Sequence, residues 1–182
     1  MKKISLSSLM IFALALTTLS ACGGGGGGGG STPPQSTPAV LTLSTAVTGA
    51  ISAPTVITGY DVTITLPAGV TVKSTTPPQT DDGVVVGTGT GAVAGTYNAA
   101  SYSSATGKVH LIIVSPKGNG FNGAGEFCKV NCNIAAGYHP TAADFQQHLT
   151  FKASGLDDPN ALKPSSVNLT GQLSMTVAAA IN

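Results

Sequence analysis

From Ala39 onward, apolar and polar residues alternate in short runs broken by Gly, Pro, Asn and Asp, which is the period of half-buried strands rather than of helices. Residues 40–44 (Val-Leu-Thr-Leu-Ser) predict a first strand, and a weaker second one covers 46–51. The best patterned stretch is 59–72. Tyr60, Val62, Ile64 and Leu66 share one face, Asp61, Thr63 and Thr65 the other; Pro67-Ala68-Gly69 then reads as a turn before Val70 and Val72 resume an apolar face. A Pro- and Asp-containing loop at 75–82 leads to a compact strand at 83–87, a turn or glycine-rich strand at 87–91, a further strand at 93–97 and a loop or hairpin end at 98–107. Residues 108–114 (Lys-Val-His-Leu-Ile-Ile-Val) predict a central strand. A turn at 118–123 leads to a strand at 126–134, another strand covers 151–153, a turn 155–160, and one or two closing strands 167–181. Only 140–148 carries a helix signal, with Thr141 placed to cap it and Asp144 three residues later as in a capping box. Short strands and turns at this spacing predict an all-β sandwich with at most one short helix.

Upstream of Ala39 the pattern is different. Lys2 and Lys3 precede an apolar run at 9–16, and Ser20-Ala21 forms a small-residue cleavage zone, so residues 1–21 read as a secretory signal. The apolar run is shorter than the ~20 residues that cross a bilayer as a helix. Leu19-Ser20-Ala21-Cys22 resembles the bacterial lipobox, and the resemblance implies that Cys22 is diacylated, becomes the new amino terminus and is acylated again. One acyl chain holds a protein only marginally, whereas several on one residue make release slow. In Gram-negative lipoproteins an aspartate after the cysteine favours retention at the inner membrane. Gly23 stands there instead, which points to the outer membrane and leaves its periplasmic and surface faces both open. Residues 22–38 then form a tether, glycine from 23 to 30 and Ser, Thr, Pro and Gln after it, with a reach of roughly 20–25 Å. The glycine run has no Lys-Ser/Thr ending and no strand before it, which argues against a phosphate loop. Residues 39–182 suit one folded domain.

Composition narrows the function. Charged residues make up 8% of the chain, against about 25% in ordinary domains, and there is no Trp and no Arg. Beyond the leader, six lysines (Lys73, Lys108, Lys117, Lys129, Lys152, Lys163) stand against seven acids. Nucleic-acid and phosphate partners depend on clustered Lys and Arg, so this chain is a poor candidate for either. No Gly-x-Ser-x-Gly, His-Glu-x-x-His or EF-hand loop occurs, and no enzyme is indicated. In the 126–134 strand Cys128, Val130, Cys132 and Ile134 share a face. The two Cα atoms then lie roughly 13 Å apart, beyond the ~7 Å a disulfide spans, which favours two buried free thiols. A local disulfide across a bulge is the alternative in an oxidising export route. Asp81-Asp82 and Asp157-Asp158 sit among turn formers and read as turn residues, with a weak surface calcium site at Asp157, Asp158 and Asn160 as the alternative and no other cofactor indicated. His110, His139 and His148 are far apart and read as structural. Tyr97 and Tyr102 flank a run of small residues and read first as core or hairpin packing; as aromatic platforms for a sugar they are the best candidate ligand contacts, and the lack of Trp weakens the sugar case.

Three stretches carry a resemblance. Residues 59–72, whose alternation runs into Leu-Pro-Ala-Gly-Val, residues 123–134, with Gly-x-Gly-Glu-Phe ahead of the strand, and residues 151–160 together resemble the cohesin-like domains of bacterial surface and cellulosomal proteins. The resemblance covers about residues 40–178. It implies an antiparallel jelly-roll-type sandwich of about nine strands, related in fold to carbohydrate-binding modules. Cohesins bind calcium-loaded dockerins through one sheet face. No dockerin-type Asp/Asn repeat is present, so this chain would be the receiving half, and the Cys128 and Cys132 pair matches no family feature. The expectation is a membrane-anchored envelope or cell-surface module for protein-protein interaction, with polysaccharide binding or a passive structural role in a surface assembly as alternatives.

Overall fold

Alternation at period two becomes ten strands in the described residues: β1 (Thr37–Val47), β2 (Val56–Thr65), β3 (Val70–Thr71), β4 (Val85–Gly87), β5 (Tyr97–Ser103), β6 (Lys108–Val114), β7 (Glu126–Ile134), β8 (Leu149–Leu156), β9 (Ser166–Asn168) and β10 (Leu173–Ile181). The structure, a computed structural model, describes residues 35–93, 96–115, 120–121 and 123–182. The predicted signal, Cys22 and most of the tether lie outside the described residues. One short helix, α1 (Ala142–Gln146), interrupts the strands, along with single 3-10 turns at Gly89–Gly91 and Thr170–Gln172.

The strands pair antiparallel in two sheets. The first has the order β10-β1-β7-β3, with β4 on the same side of β7 as β3; the second has the order β5-β6-β2-β8-β9. The chain passes repeatedly from one sheet to the other, so each sheet's inward residues meet the other's. Leu41 and Leu43 of β1 and Val130 and Cys132 of β7 close over Val62 and Ile64 of β2 and Val109, Leu111 and Ile113 of β6, all buried. Burying such a side chain stabilises the fold by about 1.5–3 kcal/mol. The domain is therefore the all-β antiparallel sandwich that the alternation predicts.

Near one end the core turns aromatic. Tyr60 stacks on Phe121 at 5.2 Å and leans on Phe127 at 4.3 Å between ring centres. Its hydroxyl meets the Thr45 Oγ1 at 3.1 Å, so the one polar atom of this buried ring is satisfied. Phe127 is an extra residue in β7, where the register slips between Leu43–Cys128 and Ser44–Glu126. The bulge explains why Phe127 and Cys128 are both buried. The bulge precedes the cysteines rather than lying between them, and both thiols are free.

Three local expectations change. No separate strand forms over 46–51, because Ala46 and Val47 continue β1 opposite Ser174 and Leu173. The strand expected at 93–97 starts only at Tyr97, and the loop expected at 98–107 is mostly β5 with a turn behind it. Asn, Ala and Ser contribute little apolar signal, and β5 is held instead by its seven-residue pairing with β6. The helix signal is met: the Thr141 backbone N–H and side chain both bond Asp144, at 2.7 and 2.8 Å, and Phe145 is fully buried.

Candidate functional site

Packing the odd positions of β6 and the even positions of β2 inward leaves the intervening residues on the outer face of the second sheet. Register sets them in rows. Tyr97, Val114, Gly59, Ser154 and Asn168 lie side by side across five strands; Ala99, Ile112, Asp61 and Lys152 form the next row; Ser101, His110, Thr63 and Thr150 form the third. Tyr97 is 61% exposed and Ile112 36%. Gly59, between Val114 and Ser154, has no side chain, and a shallow groove of about 500 Å³ opens there, lined by Ile112, Val114, Ser154, Val167 and Asn168 and by the charged Asp61 and Lys152. A Cβ at Gly59 would lie 2.7 Å from the Ser154 Oγ, so the hydroxyl leans over the place where a side chain would stand.

The two halves of this face differ chemically. Tyr97, Val114, Ile112 and Ala99 make an uncharged strip. Beside it His110 Nε2 lies 2.8 Å from Asp61 Oδ1, with Lys152 opposite Asp61 on β8. The strip also has a defined position in the molecule. β2 ends at Thr65 and turns into β3, whose Val70 pairs with Ile134, itself the partner of Thr37 at the start of β1. Tyr60 near the start of β2 instead bonds Thr45 near the end of β1. The Tyr97 row therefore lies at the end of the sandwich opposite the one where the chain enters β1.

The predicted site residues separate. Tyr97 and Tyr102 stand on opposite faces of β5: Tyr97 is on the outer face, while Tyr102 is only 8% exposed, and burial raises its hydroxyl pKa. Of the two candidate contacts only Tyr97 presents an exposed ring, and Tyr102 is packed inward. Asp157 Oδ1 accepts from the Asp158 and Ser165 N–H groups at 2.7 and 2.8 Å, and Asp158 Oδ1 accepts from the Asn160 N–H at 2.9 Å. The backbone donors of Ser165 and Asp158 hold the Asp157 carboxyl below its usual range. These residues build a turn, and Asn160 contributes its backbone to it. Among the described residues no cluster of His, Cys, Asp or Glu could hold a metal ion. Asp81 is likewise engaged, accepting from the Thr75 N–H and hydroxyl at 2.6 and 2.8 Å and lying 3.1 Å from Lys73 Nζ. Burial pushes the Cys128 and Cys132 thiols up to about 12, which leaves them protonated and unreactive.

Sequence reasoning did not find Gly59, Ile112, Val114 or the His110–Asp61 pair. The outward parity of Asp61, His110 and Ile112 was a usable signal, but their neighbourhood depends on a register between strands some fifty residues apart. Compared with models of protein families, with curated proteins and with solved structures, the chain matches none.

Proposed function

We propose that the chain is a lipid-anchored envelope protein, held in the outer membrane through Cys22, that docks a protein partner on the outer face of its second sheet. The observation that carries this reading is the uncharged strip of Tyr97, Ile112 and Val114 beside the Gly59 notch, at the end of the sandwich opposite the start of β1. Apolar surface removed from water contributes about 25 cal/mol per Å². Exposed Tyr beside aliphatic side chains, bordered by polar groups, is the composition of an interface centre with its rim. The likeness of 59–72 and 123–134 to cohesin-like domains points the same way.

A second reading has its own observation. Tyr97 shares a row with Ser154 and Asn168, three and four strands away and so roughly 14 and 19 Å from it, a span that suits several units of an extended polysaccharide with one stacked on the ring. One experiment separates them. The full chain and its Gly59→Val variant, which fills the notch, are tested for capture of a discrete envelope protein, with and without calcium, and on a glycan panel. The account expects a protein captured by the wild type and lost from the variant. Glycan retention abolished by Tyr97→Ala, with no protein captured, would replace docking by polysaccharide binding. Mass spectrometry of the mature amino terminus tests the anchor, and an unmodified peptide beginning elsewhere than Cys22 would refute it.

A further inference from the structure

A sheet edge presents unpaired N–H and C=O groups that can accept a foreign strand, and proteins blunt such edges with short strands, charges, proline or a covering segment. Three of the four edges here are protected in those ways. β3 and β4 span two and three residues, and β9 spans three. β5 is partly covered by the preceding loop, where the Thr80 N–H donates to the Ala100 carbonyl at 3.3 Å and the Tyr102 N–H to the Pro78 carbonyl at 2.6 Å. The fourth edge, β10, is nine residues long and contains neither a charged residue nor a proline.

Among the described residues α1 packs against β10, and the side chain that meets the strand's outward groups is its Gln146. Gln146 Nε2 donates to the Met175 carbonyl at 3.1 Å, and the Val177 N–H donates to Gln146 Oε1 at 2.7 Å. A primary amide carries one donor and one acceptor side by side, and here it bonds Met175 and Val177 as the N–H and C=O of one residue on a parallel neighbouring strand would. The helix behind it aims this amide. Phe145 is fully buried, and the Thr141–Asp144 capping box fixes the first turn. Residues 175 and 177 turn their peptide groups outward, so by alternation Ala179 does as well; the even residues bond β1, as the Asn182 N–H to the Pro38 carbonyl illustrates.

We propose that Gln146 is a plug on the edge of β10, and that the strand behind it is an addition site for a second copy of this chain. The edge is self-complementary. With Val177 opposite Val177 about a twofold axis, two β10 strands pair antiparallel, Met175 faces Ala179 of the other copy, and the uncharged Thr176 and Ala178 bring no like charges together. The first sheet then runs on across both copies. With the plug in place the chain is a monomer.

Sedimentation equilibrium of the full chain, in detergent density-matched to the solvent, tests this. Wild type is expected at the monomer mass and Gln146→Ala at about twice that mass, returning to monomer when Ala179→Pro, which removes an outward N–H, is added. Gln146→Ala that stays monomeric, or a dimer insensitive to Ala179→Pro, overturns the proposal. Amide hydrogen exchange of the wild type gives a test that needs no variant. After correction for intrinsic exchange, the Val177 N–H is expected to be protected at least about fivefold more than the Ala179 N–H, the effect of one net hydrogen bond. Equal protection at the two positions overturns the plug.

Discussion

Cys128 and Cys132 show most sharply how a single residue's environment decides its chemistry. Both occupy inward positions of β7, and desolvation pushes each thiol up to about 12. At pH 8 the thiolate population is negligible, so an aromatic disulfide reagent should detect neither group in the native protein and both in denaturant. A native count of two would contradict their burial, and a count of zero in denaturant would restore the disulfide alternative. That the pair is inward was legible from alternation alone, because Val130 and Ile134 share its parity and Asn131 and Asn133 do not. Tyr102 was not legible in the same way. It stands in Asn-Ala-Ala-Ser-Tyr-Ser, where neighbours of little hydrophobicity mark neither face, and only the pairing of Tyr102 with Val109 turns it inward.

At the level of elements, local chemistry was readable and distant registry was not. The cap of α1 lies wholly within 141–144, and its hydrogen bonds join residues three apart; it was visible in the sequence for that reason. Those bonds also set a pH dependence. The Thr141 N–H and hydroxyl hold the Asp144 carboxyl below its ordinary value of 3.8, with a smaller contribution from the charge of His148. A depressed carboxyl stabilises its element above the ordinary pKa and loses that contribution as pH falls through the folded value. Protection of the Gln147 N–H, which bonds the Ala143 carbonyl, should be constant at and above pH 5 after correction for intrinsic exchange, and should fall on acidification below the ordinary value. Asp144→Ala should lower that protection at pH 7 and flatten the acid limb. An unchanged limb in the variant would assign the effect elsewhere. The Gln146 amide, one helical position after Phe145, bonds residues 29 and 31 positions away, and no local pattern announces such a contact.

For the whole molecule, the fold class was legible because a two-sheet sandwich needs only strands of the right period and turns between them. The proposed docking face was not, because it is assembled from Tyr97 on β5, Ile112 and Val114 on β6, Gly59 on β2 and Asn168 on β9, and a one-residue slip in any pairing would scatter it. The proposed docking rests on a strip of this kind at one end of a nearly uncharged domain, with the start of β1 at the other end. The most direct test compares two charge insertions of equal size on opposite sheets: Ile112→Asp in the strip and Thr42→Asp on the outer face of β1. With both variants confirmed as folded, capture of the envelope partner should be lost for Ile112→Asp and kept for Thr42→Asp. Capture kept by Ile112→Asp, or lost only with Thr42→Asp, would contradict docking on the second sheet.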